Sequence, residues 1–273
     1  MTDTTSVARR ASRVVLIHCS GSAPAQWTQL EVCLAPQFEP HSVTLTGHGD
    51  RAPWGGERVL SLAEEARDLA ATIGGEDAVH IVGHSYGGAV AFRYALKHPA
   101  RVRSLTLFEP ALFDLLRFDP DESAALDEIE AVAKAVSSLV LLGDYRSAMA
   151  RFVDYWNGAG AWSRMPETLR AELSAKALLV AHHFAALLDP GPSPSTFEAL
   201  GIPLLVLCGT DSPKSARAVS RVLAKSVFTA KHRTIGHAGH MAPVTHPDRV
   251  NPVILEALRT ADQIDATPRS LVG

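Results

Sequence analysis

Val79-His80-Ile81-Val82-Gly83-His84-Ser85-Tyr86-Gly87-Gly88-Ala89-Val90-Ala91-Phe92 decides how the rest of the chain folds. A short apolar run of strand length meets the pattern G-x-S-x-G and passes at once into small residues at helical spacing. A strand, a sharp turn and a helix follow in immediate succession. A serine lifted from a strand into a helix so abruptly must take strained backbone angles, with the flanking chain packed closely around it. Gly83, Gly87 and Gly88 supply that space, because a Cβ at any of them would strike a neighbouring strand or helix. Ser85 Oγ is then expected at the top of the sheet. The Tyr86 amide, in the first helical turn, has no intrahelical partner and points into the same space. One turn offers a nucleophile and half of an oxyanion hole.

The bulk numbers set the frame around this turn. A chain of 273 residues, 47% of them hydrophobic, can bury one large core, with or without an inserted subdomain. A formal charge of −3 leaves no basic surplus to hold phosphates, so nucleic acid is not an expected partner and a small acyl ligand is. Cys19, Cys33 and Cys208 are odd in number and lack C-x-x-C spacing, which suits reduced thiols in a cytoplasmic protein. Residues 1–12 are polar and read as a flexible tail without a secretory signal. No apolar run approaches the roughly 20 residues that span a bilayer, so no membrane association is expected.

Strands and helices alternate along the first part of the chain. Strands are expected over 14–18, 42–45, 79–84 and 102–108, and helices over 25–34, 61–73 and 86–97. That rhythm specifies α/β architecture: a mostly parallel, doubly wound sheet covered on both faces. From 111 to 194 the strands stop, and three helical patterns appear at 122–142, 145–156 and 167–188. An all-helical block inserted after a strand's carboxyl end is expected to form a lid over the crevice there. Strands at 203–208 and within 227–235 resume the sheet, helices follow at 215–224 and 247–258, and 261–273 reads as a second flexible tail. The core is therefore expected at 13–110 and 195–260, with the lid at 111–194.

Ser85, Asp211 and His240 each end up at a carboxyl end, in the chain order Ser, Asp, His. With His18 and its loop, Gly47-His48-Gly49, Gly83-His84-Ser85-Tyr86-Gly87-Gly88, Gly209-Thr210-Asp211 and Gly239-His240-Met241 in correct sequence, the chain resembles the α/β-hydrolase superfamily over about residues 13–260. The resemblance implies a lid-bearing, esterase-like serine hydrolase. In it Ser85 attacks, His240 takes the proton, Asp211 holds His240, and the amides of Tyr86 and Ser20 receive the oxyanion. Cys19 stands where the family usually has glycine.

Glu109 also ends a strand and is the alternative acid; His237 is the alternative base. The spacing of His237, His240 and His246 does not match a zinc site, and no metal or cofactor is implied. Trp54, Phe113, Trp156 and Trp162 are candidate pocket residues. His182-His183 reads as structural, with one of the pair able to face the pocket. The same triad would also serve a thioesterase or a lactone or carbon–carbon bond hydrolase, and a non-enzymatic ligand receptor on this fold is the other class.

Overall fold

The structure is a computed structural model that describes residues 11–49, 51 and 60–266. Six parallel strands form one sheet in the order β2-β1-β3-β4-β5-β6. They are β1 (Ser12–Ile17), β2 (Phe38–Val43), β3 (Val79–His84), β4 (Val102–Phe108), β5 (Leu204–Gly209) and β6 (Ala230–Ile235). Side chains alternate between faces along a strand. Val14 and Leu16 join one apolar cluster, and Val15 and Ile17 the other. Both clusters are fully buried at these positions, as a sheet covered on two sides requires.

Helices α1 (Thr28–Leu34), α2 (Leu62–Ile73) and α3 (Tyr86–Lys97) connect the first strands. After β4 come α4 (Ser123–Leu141), α5 (Tyr145–Asn157), α6 (Ala161–Arg164), α7 (Glu167–Ser174) and α8 (Ala177–Leu188), the helical insertion. Then α9 (Lys214–Ser226) follows β5, and α10 (Ala242–Thr245) and α11 (Pro247–Ala266) follow β6. The insertion is tied to the core at both ends. Arg93 of α3 donates to Asp114 at 2.7 Å where the insertion begins. The returning chain passes so close to this pair that a Cβ on Gly191 would collide with both side chains. On the far side Tyr155 Oη meets Ser215 Oγ of α9 at 2.6 Å.

Three boundaries differ from expectation. Strand β2 spans 38–43 rather than 42–45; it is an edge strand, where Pro40 costs no ladder bond and alternation is weak. The single helix expected over 167–188 is two, bent by 55°, because α8 turns its apolar face into the core while α7 stays at the surface. Residues 261–266, expected in a tail, are helical. Helix α11 continues to Ala266 past an internal proline, and Ser12 Oγ of β1 donates to Asp262 Oδ1 at 2.7 Å, fastening the last turns to the sheet. Ser12 itself lies in β1 and not in a tail.

Candidate active site

The turn after β3 has the geometry its glycines imply. Ser85 takes φ 54°, outside the range L-residues favour. A Cβ on Gly83 would lie 2.8 Å from Gly88 Cα, and one on Gly87 would run into the His18 carbonyl. The strained serine is held by its neighbours: its N–H donates to Phe108 O at 3.0 Å, and its carbonyl accepts from Ala111 N at 3.1 Å. Both partners flank Glu109. The turn and the end of β4 are one stitched unit.

That unit settles which carboxylate meets the histidine. His240 Nδ1 donates to Glu109 Oε2 at 2.7 Å. Glu109 Oε1 accepts from the Gly209 amide at 2.7 Å and from Ser212 Oγ. Glu109 is 1% and His240 3% exposed, so both oxygens are satisfied inside the protein. An ionised carboxylate can only accept, which places the imidazole proton on Nδ1 and leaves the Nε2 lone pair free to take a proton. Glu109 adopts φ 46°, a second strained residue beside the first.

Asp211, expected as the acid, is not there. It is exposed, and its Oδ1 accepts from the neighbouring Thr210 hydroxyl at 2.9 Å. The reason is positional: β4 lies next to β3, and the glutamate's extra methylene reaches His240 from there. With Glu109 occupying Nδ1 and bound by Gly209 and Ser212 at the end of β5, Asp211 is left facing solvent. His237, the alternative base, is exposed, and its amide donates to Thr210 Oγ1.

His240 is tied to the residue before Ser85: His84 Nε2 donates to the His240 carbonyl at 2.9 Å. Ser85 Oγ and His240 are not hydrogen-bonded to each other in this structure. The Trp156 indole stacks on the His240 ring at a centroid distance of 3.9 Å. It also walls a tightly packed pocket of only about 10 Å³ that is lined by Ser85, Ser20 and Tyr86 together with Phe113 and Phe184. On its other side Trp156 faces a basin of about 570 Å³ reached by His240, Asp211 and Lys214. One indole separates an apolar slot from a more polar vestibule.

The other expected pocket residues divide. Phe113 and Trp156 line the slot; Trp162 is buried in α6 and does not. Trp54 lies outside the described residues. Cys19 needs no glycine-like conformation, since the positive φ of its loop is at Gly21, 73°, and its amide is held by Gln26 Oε1 at 3.2 Å. Arg51 reaches Thr72, Arg93 reaches Asp114 and Arg164 the Ala159 carbonyl, so these three do not converge on the slot. Among the described residues no group of three or more His, Cys, Asp or Glu side chains is arranged to hold a metal ion.

His18 and His48 order the loops that carry them. His18 Nδ1 donates to Cys19 O at 2.8 Å while its Nε2 accepts from Leu45 N. His48 Nδ1 donates to Thr46 O at 3.0 Å, and its Nε2 accepts from Gly21 N. Burial lowers the His18 pKa to about 3 and the His48 pKa to about 4. His183, on α8, is different. Its Nδ1 meets Ser20 Oγ at 2.6 Å and its ring lines the slot.

Comparison with known proteins agrees with this architecture. Over 144 residues the chain is 33% identical to the pimeloyl-[acyl-carrier protein] methyl ester esterase of Aeromonas hydrophila, covering 51% of this chain and 52% of that one, about half its length. It is 26% identical over 271 residues to lipase LipV of Mycobacterium tuberculosis, covering 90% of this chain and 93% of the lipase. The malate-bound thermophilic esterase of Thermogutta terrifontis superposes with a TM-score of 0.70 at 26% identity, over 92% of this chain and 90% of the esterase. The profile of the alpha/beta hydrolase family matches residues 14–253. A parallel sheet, a strained serine on the turn after β3 and a buried carboxylate–histidine pair at the same edge are thus joined to a family match across nearly the whole described chain, which belongs to the alpha/beta hydrolase family.

Proposed function

We propose that the protein is a serine hydrolase that cleaves a small or medium carboxylic ester through an acyl-enzyme intermediate. Ser85 attacks the ester carbonyl, His240 Nε2 takes its proton, and Glu109 holds the imidazole and stabilises its charged form. The amides of Tyr86 and Ser20 receive the oxyanion, each such donor contributing about 3 to 4 kcal/mol to the barrier. His240 then returns the proton to the departing alcohol, and water repeats the sequence to release the acid. The observation that supports this most is the buried 2.7 Å bond between His240 Nδ1 and Glu109 beside the strained serine. A bond between Ser85 Oγ and Nε2 of the kind seen in such sites commonly tightens only when substrate is bound. The slot's apolar walls suit an acyl chain, which the packed side chains must part to admit. The relatives named above, two esterases and a lipase, are in keeping with an ester substrate.

The test is hydrolysis of short p-nitrophenyl esters together with labelling by a fluorophosphonate. Turnover and labelling are both expected in the native protein and both lost in Ser85→Ala with the fold intact. A native protein that neither cleaves nor labels would be a ligand receptor on this fold.

A further inference from the structure

Helix α8 sends four side chains into the Ser85 slot at helical spacing: Val180, His183, Phe184 and Leu187. Three are apolar and one is an imidazole. His183 is 1% exposed, and its Nε2 has no hydrogen-bond partner. An unpaired buried nitrogen in an apolar wall is destabilising, and its persistence calls for a use.

The ring cannot turn to find a partner elsewhere. Tyr86 stacks on it at 3.8 Å between centroids, and His48 stacks at 5.4 Å. Its Nδ1 is tied to Ser20 Oγ. Burial pushes its pKa well down, with His48 and His18 nearby acting in the same direction, so the ring is neutral and carries one proton. Ser20 Oγ makes no other hydrogen bond among the described residues. With the Ser20 hydroxyl donating to Nδ1, the imidazole's own proton sits on Nε2 of a ring that lines the slot holding Ser85.

Resting on the esterase reading above, we infer that His183 is the specificity-determining residue of this slot: its Nε2–H receives an uncharged acceptor oxygen carried by the substrate's acyl chain, two or three bonds from the ester carbonyl carbon. Preferred substrates are then short esters with an ether, keto or hydroxyl oxygen in the acyl chain rather than plain alkanoates. A neutral donor in an apolar slot disfavours a carboxylate at that place, because burying the charge is costly. Through Ser20 the same imidazole also positions the loop whose amide faces the oxyanion.

Two isosteric pairs of p-nitrophenyl esters read this out: butyrate against methoxyacetate, and pentanoate against 3-methoxypropanoate. Each kcat/KM is divided by the ester's own hydroxide-catalysed rate, which removes the electronic effect of the ether. In the native protein at least one pair is expected to favour the ether by about tenfold or more. His183→Phe keeps the ring and loses the donor, so the ratio should collapse to within about twofold of one; His183→Gln restores a donor and should recover part of it. Ser20→Ala, which leaves the backbone amide in place but frees Nδ1, should lower the ratio by at least about threefold, and it carries the test if the Phe variant does not fold. A native ratio near one in both pairs, or a ratio that His183→Phe leaves unchanged, overturns the inference while butyrate turnover still stands. Loss of all turnover and labelling in the native protein overturns the esterase reading, and this one with it.

Discussion

Glu109 and His240 are separated by 131 positions along the chain, yet their side chains meet at 2.7 Å with almost no solvent access. The pair can be tested against the residue the sequence favoured. Glu109→Gln removes the charge that stabilises the imidazolium and allows the wrong tautomer, and kcat on p-nitrophenyl acetate is expected to fall about 10³- to 10⁴-fold. Asp211→Asn, at an exposed side chain, should change it by less than about threefold. The opposite ranking would return the acid role to Asp211.

Trp156 covers His240 and divides the slot from the vestibule. Trp156→Ala should merge the two spaces, raising kcat/KM for p-nitrophenyl octanoate relative to acetate by about tenfold or more. It should also cost about 3 to 5 kcal/mol of stability, since a large and almost fully buried indole is removed. A denaturation curve and a chain-length series measure the two effects separately.

Acid should unfold the protein early. His18, His48, His84 and His183 are buried, and desolvation is the first cause holding each pKa below 6.5. Their contribution to stability is present above the unfolded pKa and is lost as pH falls below about 6.5, each group giving up to about 1.4 kcal/mol per pH unit. Glu65 works in the other direction, because burial raises its pKa to about 7. It favours the folded state most below pH 4.5 and loses that advantage as pH rises through about 7. Four histidines outweigh one glutamate. Stability should therefore fall between pH 6.5 and 4.5 by at most about 4 kcal/mol per unit, as urea titrations at several pH values would show.

Glu65 can be isolated from that background. Thr46 Oγ1 approaches its Oε2 at 3.3 Å, and the Arg51 charge, opposed by Asp68, is too weak to offset its burial. Glu65→Gln should be more stable than the native protein at pH 8 by about 1 to 3 kcal/mol and nearly equal to it at pH 4.5. Equal stabilities at pH 8 would mean the carboxylate is better solvated than its 2% exposure implies.

The turn at Ser85 was legible because its constraint is local: glycines at 83, 87 and 88 are demanded by backbone atoms that a Cβ would approach to 2.8 Å at Gly83, to 3.1 Å at Gly88 and closer still at Gly87. Four strands were legible from apolar runs; β2 and β6 were placed only loosely, because an edge position removes the pattern that marks a buried strand. The acid was not legible. Gly209-Thr210-Asp211 and Glu109-Pro110 both end strands, and the choice between them depends on side-chain reach across the carboxyl edge, which spacing along the chain does not encode. Two signals did exist: a glutamate directly after the apolar end of β4, and Ser212 two residues beyond Thr210, able to cap its second oxygen. The break between α7 and α8 left no mark, since Ala175 and Lys176 are ordinary helix residues; tertiary burial of α8 and the Lys176 ammonium bonding Gly21 O decide it.

Ser85 and Glu109 both precede the helical insertion, and His240 follows it. In the proposed mechanism everything that moves protons is therefore built on the sheet, while the apolar wall of the slot is supplied by a segment entering and leaving beside Arg93. Such a division makes the insertion exchangeable: a foreign cap grafted between Glu109 and Pro203 would inherit the chemistry and redefine what is admitted to it.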